Sequence, residues 1–193
     1  MYKHLLHVIK SKAVSRISQL KLIRQAQKGD TDALETIINH YYDNIFSYLY
    51  RNTGDKAIAE DLTQDVFLKL VNALAGYRSV GKFSNFVFTI AVNVRNDYYR
   101  KNKLSIQEYD LLNVDAGVDI EKILIRKDQS SRLKEAIQKL PDAQKDTILL
   151  RFFHDMKIKD IAKITSTNPS TVKSRVSNGL KKLKSLLSEV DTH

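Results

Sequence analysis

The stretch Ile158-Lys159-Asp160-Ile161-Ala162-Lys163-Ile164, Thr165-Ser166-Thr167, Asn168-Pro169-Ser170-Thr171-Val172 reads as two helices joined by a tight turn. Asn168 is a good N-cap, because its side-chain oxygen can accept from a backbone N–H left unpaired in the first turn. Pro169 is well placed at the first helical position, where its missing N–H costs nothing. From Lys163 to Lys184 the cations Lys163, Lys173, Arg175, Lys181, Lys182 and Lys184 occur without a single acid. A helix-turn-helix sets the N-terminal part of its second helix in the major groove, and short hydroxyls followed by long cations suit that position. The alternative is a basic helical hairpin with no nucleic-acid role.

Outward from this hairpin the chain is helical by the same logic. Its 193 residues contain only six Gly and two Pro, so periodic segments run long between breaks. Helices are expected over 17–28, 32–51, 56–74, 84–101, 120–140, 143–154, 158–164 and 169–187, an all-α fold. Lys28-Gly29-Asp30 and Asn52-Thr53-Gly54-Asp55 supply a Gly stop followed by an Asp cap, and Leu140-Pro141-Asp142 separates two later helices. Residues 104–125 show no period and read as a linker. They hold five acids (Glu108, Asp110, Asp115, Asp119, Glu121) against Lys122, whereas 1–103 and 126–193 each carry a balance of +7. The expectation is two basic helical domains, 1–103 and 126–193, on an acidic tether, with a polyanion as a natural partner.

Composition narrows the chemistry. With no Cys there is no thiol nucleophile, disulfide framework or thiolate metal site. No apolar run approaches the roughly 18 residues of a membrane span, and Met1 to Lys12 is interrupted by His and Lys, so a cytoplasmic protein is expected. His4, His7, His40, His154 and His193 form no metal-ligand pattern beyond the His4/His7 pair, and neither metal nor cofactor is expected.

Two further helices carry patterned faces. Between Lys56 and Leu74, residues Ile58, Leu62, Val66, Phe67, Leu70 and Leu74 gather on one side, a core face. Opposite them Asp61, Gln64, Asp65 and Leu68, at relative positions 0, +3, +4 and +7, form a stripe that is either a solvated surface or an acidic protein-binding face. Between Ser84 and Lys101, the sequence places Phe83, Val87, Ile90, Ala91, Val94 and Tyr98 on the buried side. Asn85, Thr89, Asn93, Asn96 and Arg100 lie opposite, with Phe88, Val92 and Tyr99 flanking them. Asn and Arg edged by aromatic rings suit contact with bases, and Arg78, Lys82, Arg95, Arg100, Lys101 and Lys103 face only Asp97 in charge. A polar helix surface packed by its aromatics on a neighbour is the alternative.

Taken together, the chain from about residue 20 to 188 resembles the extracytoplasmic-function sigma factors, a group within the bacterial sigma-70 family. Ala59 to Leu70 is similar to the family's segment that docks on core RNA polymerase, and Phe83 to Asn93 with Asp97-Tyr98-Tyr99-Arg100 to its minus-10 melting element. Leu140-Pro141-Asp142, Ile148 to Phe153 and Thr171 to Arg175 resemble its minus-35 reading domain. The resemblance implies a sigma factor that binds core polymerase, directs it to promoters and performs no chemistry of its own. It implies polymerase contact by Glu60, Asp61, Gln64, Asp65 and Leu68. Melted minus-10 contact would fall to Arg78, Lys82, Phe83, Phe86, Phe88, Asn93, Asn96, Tyr99 and Arg100, with a flipped base held by the loop 77–83. Duplex minus-35 contact would fall to Arg151, Ser170, Thr171, Lys173, Ser174, Arg175, Asn178 and Lys181. An anti-sigma partner is implied, the linker would run through the polymerase's RNA path, and no small-molecule substrate is.

Several positions depart from that family's pattern. Phe86 stands where Trp is usual, Thr89 where Arg is frequent, Ser177-Asn178-Gly179 where bulky and basic residues are usual, and Ser166-Thr167 where Gly and an aliphatic residue are usual. Two other readings stay open at this point. One is a helix-turn-helix regulator that binds its operator without polymerase. The other is a metal-dependent nuclease using Glu60, Asp61 and Asp65, for which the chain offers no supporting His, phosphate loop or nucleophile.

Overall fold

A computed structural model describes residues 16–78, 81–102 and 131–188. Among these, the first lobe is α1 (Arg16–Gln27), α2 (Thr31–Thr53), α3 (Lys56–Leu74) and α4 (Phe83–Asn102). The second is α5 (Ser131–Gln138), α6 (Asp142–Ile148) running into a π-helical turn (Leu149–Phe153), α7 (Ile158–Ile164) and α8 (Pro169–Ser188). No strand occurs among the described residues, in agreement with the all-helical expectation. The acidic linker, the start of the 120–140 helix and the outer domain limits lie outside the described residues.

The expected caps form. Asp30 Oδ1 accepts from Ala33 N at 3.0 Å, Asp55 Oδ1 from Ile58 N at 3.0 Å and Asn168 Oδ1 from Thr171 N at 2.7 Å. Each such cap stabilises its helix by about 1 kcal/mol. Gly54 closes α2 at φ 74°, a left-handed value that lets its N–H reach Tyr50 O at 2.8 Å. At the equivalent turn between α7 and α8, Ser166 takes φ 50° although it carries a Cβ. The turn holds because Thr165 and Thr167 share a hydroxyl contact of 3.0 Å and Thr167 N–H reaches Ala162 O at 2.9 Å.

The helix expected over 143–154 divides in two. His154 N–H bonds Leu149 O, five residues back, and the widened turn keeps Leu149, Leu150 and Phe153 all inside while Arg151 points out. Gly179 sits in the middle of α8 against α6, where a Cβ would lie 2.9 Å from Ile148 Cγ1. That close approach, rather than DNA reading, accounts for a Gly in a helix interior.

The core of the first lobe is the face α3 was expected to bury: Leu62, Val66, Phe67, Leu70 and Leu74 pack on Ile37, Tyr41, Ile45 and Leu49 of α2 and on Val87, Ala91 and Val94 of α4. Each buried aliphatic side chain contributes about 1.5–3 kcal/mol. Only Ile58 of the expected set is half-buried. One apolar cluster runs on from here into Leu133, Ile137, Ile148, Leu150, Ile161 and Leu183, so the two lobes are packed against each other.

Candidate functional site

The α3 stripe is where the sequence places it. Asp61, Gln64 and Asp65 are exposed and Leu68 is 63% exposed, while Glu60 is half-buried and paired with Lys56 at 3.6 Å one turn back. Sequence reading missed two neighbours, Val71 at 40% exposure and Tyr42 at 41%. Val71 lies three residues beyond Leu68 and extends its stripe, a spacing visible in the sequence. Tyr42 comes from α2 and stacks on Phe67 of α3 at 6.0 Å and on Phe46 at 6.4 Å, a partnership no helical period reveals. Two acids, an amide and exposed apolar side chains together form a surface suited to a protein partner with basic and apolar character.

The α4 face departs from expectation in part. Asn93, Asn96 and Arg100 are exposed, with Arg100 bonded to Asp97 at 3.1 Å and Lys69 of α3 meeting the same carboxylate at 3.3 Å. Arg78 and Lys82 are exposed as well. Phe86 is half-buried against Tyr77 at 4.7 Å, and Phe83 is buried beside both. Phe88 and Val92, expected to edge an exposed stripe, are each only 3% exposed. The reason for Phe88 is non-local: its ring packs at 5.8 Å on Tyr48 and at 4.9 Å on His154 of the second lobe. Tyr99 turns its hydroxyl inward to Asn52 O at 3.0 Å, and burial pushes its phenol up to about 12. Residues 79–80, in the loop assigned to a flipped base, lie outside the described residues.

Arg95, counted from sequence among the cations of this face, is 1% exposed. It bonds the Asp146 carboxylate of α6, lies 3.6 Å from Asp142 and stacks 5.3 Å over Tyr99. Tyr48 donates to the other Asp146 oxygen at 2.6 Å. Burial opposes the Arg95 charge, yet the charges of Asp146, Tyr48 and Asp142 and the hydrogen bond to Asp146 together outweigh it and raise the guanidinium above its ordinary value; burial and then the Asp146 charge push the Tyr48 phenol well above its ordinary value. A second contact between the lobes joins Lys82 Nζ to Asp160 Oδ2 at 2.7 Å and Asn85 Nδ2 to Asp160 Oδ1 at 3.0 Å. Burial raises the Asp160 carboxyl, but these two hydrogen bonds, together with the Lys82 and Lys163 charges, prevail and hold it below the usual carboxylate range. Beside them a cavity of about 230 Å³ is lined by Tyr41, Asn44, Phe88, His154 and Met156 among others.

In the second lobe Ser170, Lys173, Ser174, Asn178 and Lys181 are exposed on α8, with Thr171 and Arg175 half-buried. Lys182 is buried and belongs to the inner side. Arg151 is exposed and braces the next turn by donating to Met156 O at 3.1 Å. A basic helix with hydroxyls at its N-terminus therefore projects from the hairpin, as the sequence implied. Among the described residues no three His, Asp or Glu side chains converge as a metal ion requires, and Glu60, Asp61 and Asp65 are dispersed on the α3 surface. No helix among them is long and apolar enough to cross a membrane.

Comparison with known proteins now bears on this arrangement. The family model for Sigma-70 region 2 matches residues 37–104, from α2 through α4, and that for Sigma-70 region 4 matches 130–183, the second lobe. The chain belongs to the sigma-70 family. It is similar to the ECF RNA polymerase sigma factor SigW of Bacillus subtilis, 29% identical over 182 residues that cover 88% of this chain and 97% of SigW. Its fold matches CnrH, solved with the cytosolic domain of CnrY, at TM-score 0.64 and 19% identity, covering 87% of this chain and 96% of that one. It also matches the sigma factor RpoE, solved with the anti-sigma factor NepR from Bartonella quintana, at TM-score 0.63 and 20% identity, covering 80% and 96%. This sigma factor is thus of the extracytoplasmic-function type and acts in transcription initiation; its relatives are regulators of transcription rather than enzymes.

Proposed function

We propose that the protein is the promoter-specificity subunit of a bacterial RNA polymerase, with its two domains, 1–103 and 126–193, dividing the work. The α3 surface of Glu60, Asp61, Gln64, Asp65 and Leu68, extended by Val71, docks on core polymerase. The α4 face with Arg78, Lys82, Phe83, Phe86, Phe88, Asn93, Asn96, Tyr99 and Arg100 serves the minus-10 region. There, capture of unstacked bases offsets the cost of strand opening. The second lobe reads duplex minus-35 DNA through Ser170, Thr171, Lys173, Ser174, Arg175, Asn178, Lys181 and Arg151, some touching base edges and others holding phosphate. The partners are core polymerase, promoter DNA and an anti-sigma protein, and the place of action is the cytoplasm. The observation that carries this reading is the order on one chain of an exposed acidic and apolar stripe, an Asn-rich helix and a basic helix-turn-helix. Titration into purified bacterial core polymerase, followed by run-off transcription on fragmented genomic DNA, tests it. Tight binding with discrete new transcripts is expected; duplex binding without polymerase affinity would favour a helix-turn-helix regulator instead.

A further inference from the structure

α1 has no task in the proposed function, and it precedes the segment matched as Sigma-70 region 2, which opens at residue 37. Gln19, Ile23 and Gln27 recur at intervals of four and so share one face of this helix. Ile23 is buried in the core of the first lobe and anchors that face. The two glutamines flank it and reach into the lobe at either end. Gln19 Nε2 donates to the Tyr41 hydroxyl at 2.7 Å, and Gln27 Nε2 donates to Leu74 O and to Tyr77 O, each at 2.9 Å.

The Gln27 bonds fall where the chain leaves α3. Leu74 is the last residue of that helix, so its carbonyl lacks an onward helical partner. One amide NH2 carries two donors, and a single side chain therefore pins the carbonyls of both residue 74 and residue 77. Tyr77 N–H closes the same turn on Leu74 O at 3.0 Å. From there the backbone runs directly into Arg78, which is assigned to minus-10 DNA. The Tyr77 ring packs at 5.0 Å on Phe83 and at 4.7 Å on Phe86, while Tyr41, held by Gln19, meets Phe83 at 5.7 Å. The placement of Arg78, Phe83 and Phe86 thus depends on where Tyr77 is held. A site built on a loop is less precise than one on a helix unless its surroundings lock it, and here the lock comes from 47 and 50 positions earlier in the chain.

We infer that Gln27 is a positioning residue for minus-10 recognition: from α1 it holds the Tyr77 backbone, and through the Tyr77 ring it sets Phe83 and Phe86 to receive an unstacked base beside Arg78. The inference deepens the sigma reading above and rests on it. Gln27 acts through Tyr77 and need not touch DNA. Two backbone carbonyls require a donor, so Gln serves where a side chain of the same size without N–H does not. Water can take over the lost bonds at little cost, which leaves the fold nearly as stable while the turn loses its fixed position.

The test uses the full chain bound to core polymerase. The probes are fork-shaped promoter fragments from a mapped run-off start site, with a single-stranded minus-10 segment in which one base at a time is replaced by an abasic site. The wild type should bind at least one of these about tenfold more weakly than the intact fragment, as expected for loss of one captured base. Gln27→Met keeps the side-chain size without a donor and should cut that discrimination to about threefold or less, with minus-35 duplex binding and the melting temperature little changed. Gln27→Ala should act likewise and covers the case in which Gln27→Met does not fold. Gln27→Lys, whose ammonium can donate to carbonyls at a helix C-terminus, should restore discrimination. Wild-type discrimination in Gln27→Met and Gln27→Ala would overturn the inference, as would an equal loss on every fragment, minus-35 duplex included, or no recovery in Gln27→Lys. A wild type that binds no polymerase, or that ignores every abasic site, would overturn the sigma reading itself, and the positioning role with it.

Discussion

The outer faces of α3 and α4 are both polar stripes opposite a conventional core face, yet only one of them is free. On α3 the stripe from Asp61 to Leu68 is as open as its period implies, whereas on α4 Asn85 is bonded, Phe88 and Val92 are buried, and Arg95 is enclosed. The difference lies in what arrives from far along the chain. The α3 stripe keeps Asp61, Gln64, Asp65 and Leu68 exposed, while Asp146 and Asp160 reach α4 across 51 and 75 positions. Helical periodicity identifies the side away from the local core and is silent about a second domain settling on that side.

The largest expected effect breaks the free face. Asp61→Lys with Asp65→Lys should abolish polymerase binding, since like charge across a docking surface costs several kcal/mol, while leaving the melting temperature nearly unchanged. Unchanged affinity in a pull-down with core polymerase would remove α3 from the interface. Next, on the covered face, Arg95→Ala leaves Asp146 buried without its counter-charge, a loss of about 3–5 kcal/mol that should appear as loosened lobe packing. Amide exchange faster at α6 and at the end of α2 would register it. A lesser effect concerns packing within the second lobe alone: Gly179→Val forces a side chain into Ile148 and should destabilise by about 1–3 kcal/mol in thermal unfolding, without altering α3.

Lys173→Ala probes α8, which is exposed like α3 and should behave as a simple surface. Duplex binding should weaken, and the slope of log affinity against log salt should fall by about one if Lys173 holds phosphate. A loss confined to certain sequences would make it a base reader. Smallest of all, Ser166→Gly relieves the left-handed backbone at φ 50° and should stabilise by about 0.5 kcal/mol, read as a slightly higher melting temperature.

Much of this was legible in the residues. The caps at Asp30, Asp55 and Asn168, the span of α3, and the turn at 165–167 follow from local chemistry, and the structure meets them within a residue or two. The resemblance to sigma factors likewise rested on short local runs in the right order. What escaped was the fate of Arg95, whose neighbours Asn93 and Asn96 are exposed while it pairs with an acid in another lobe. The π-helical turn at Leu149–Phe153 escaped too, because its apolar run fits an ordinary helix and only the packing of Leu149, Leu150 and Phe153 together selects the wider one. Tyr42 was missed for the same reason as Arg95, since its exposure depends on a ring of a different helix.

The most direct test of the account is amide hydrogen exchange of the full chain with and without core polymerase. The account predicts protection concentrated in Ala59 to Leu70 of α3. Binding that left α3 unprotected would contradict it.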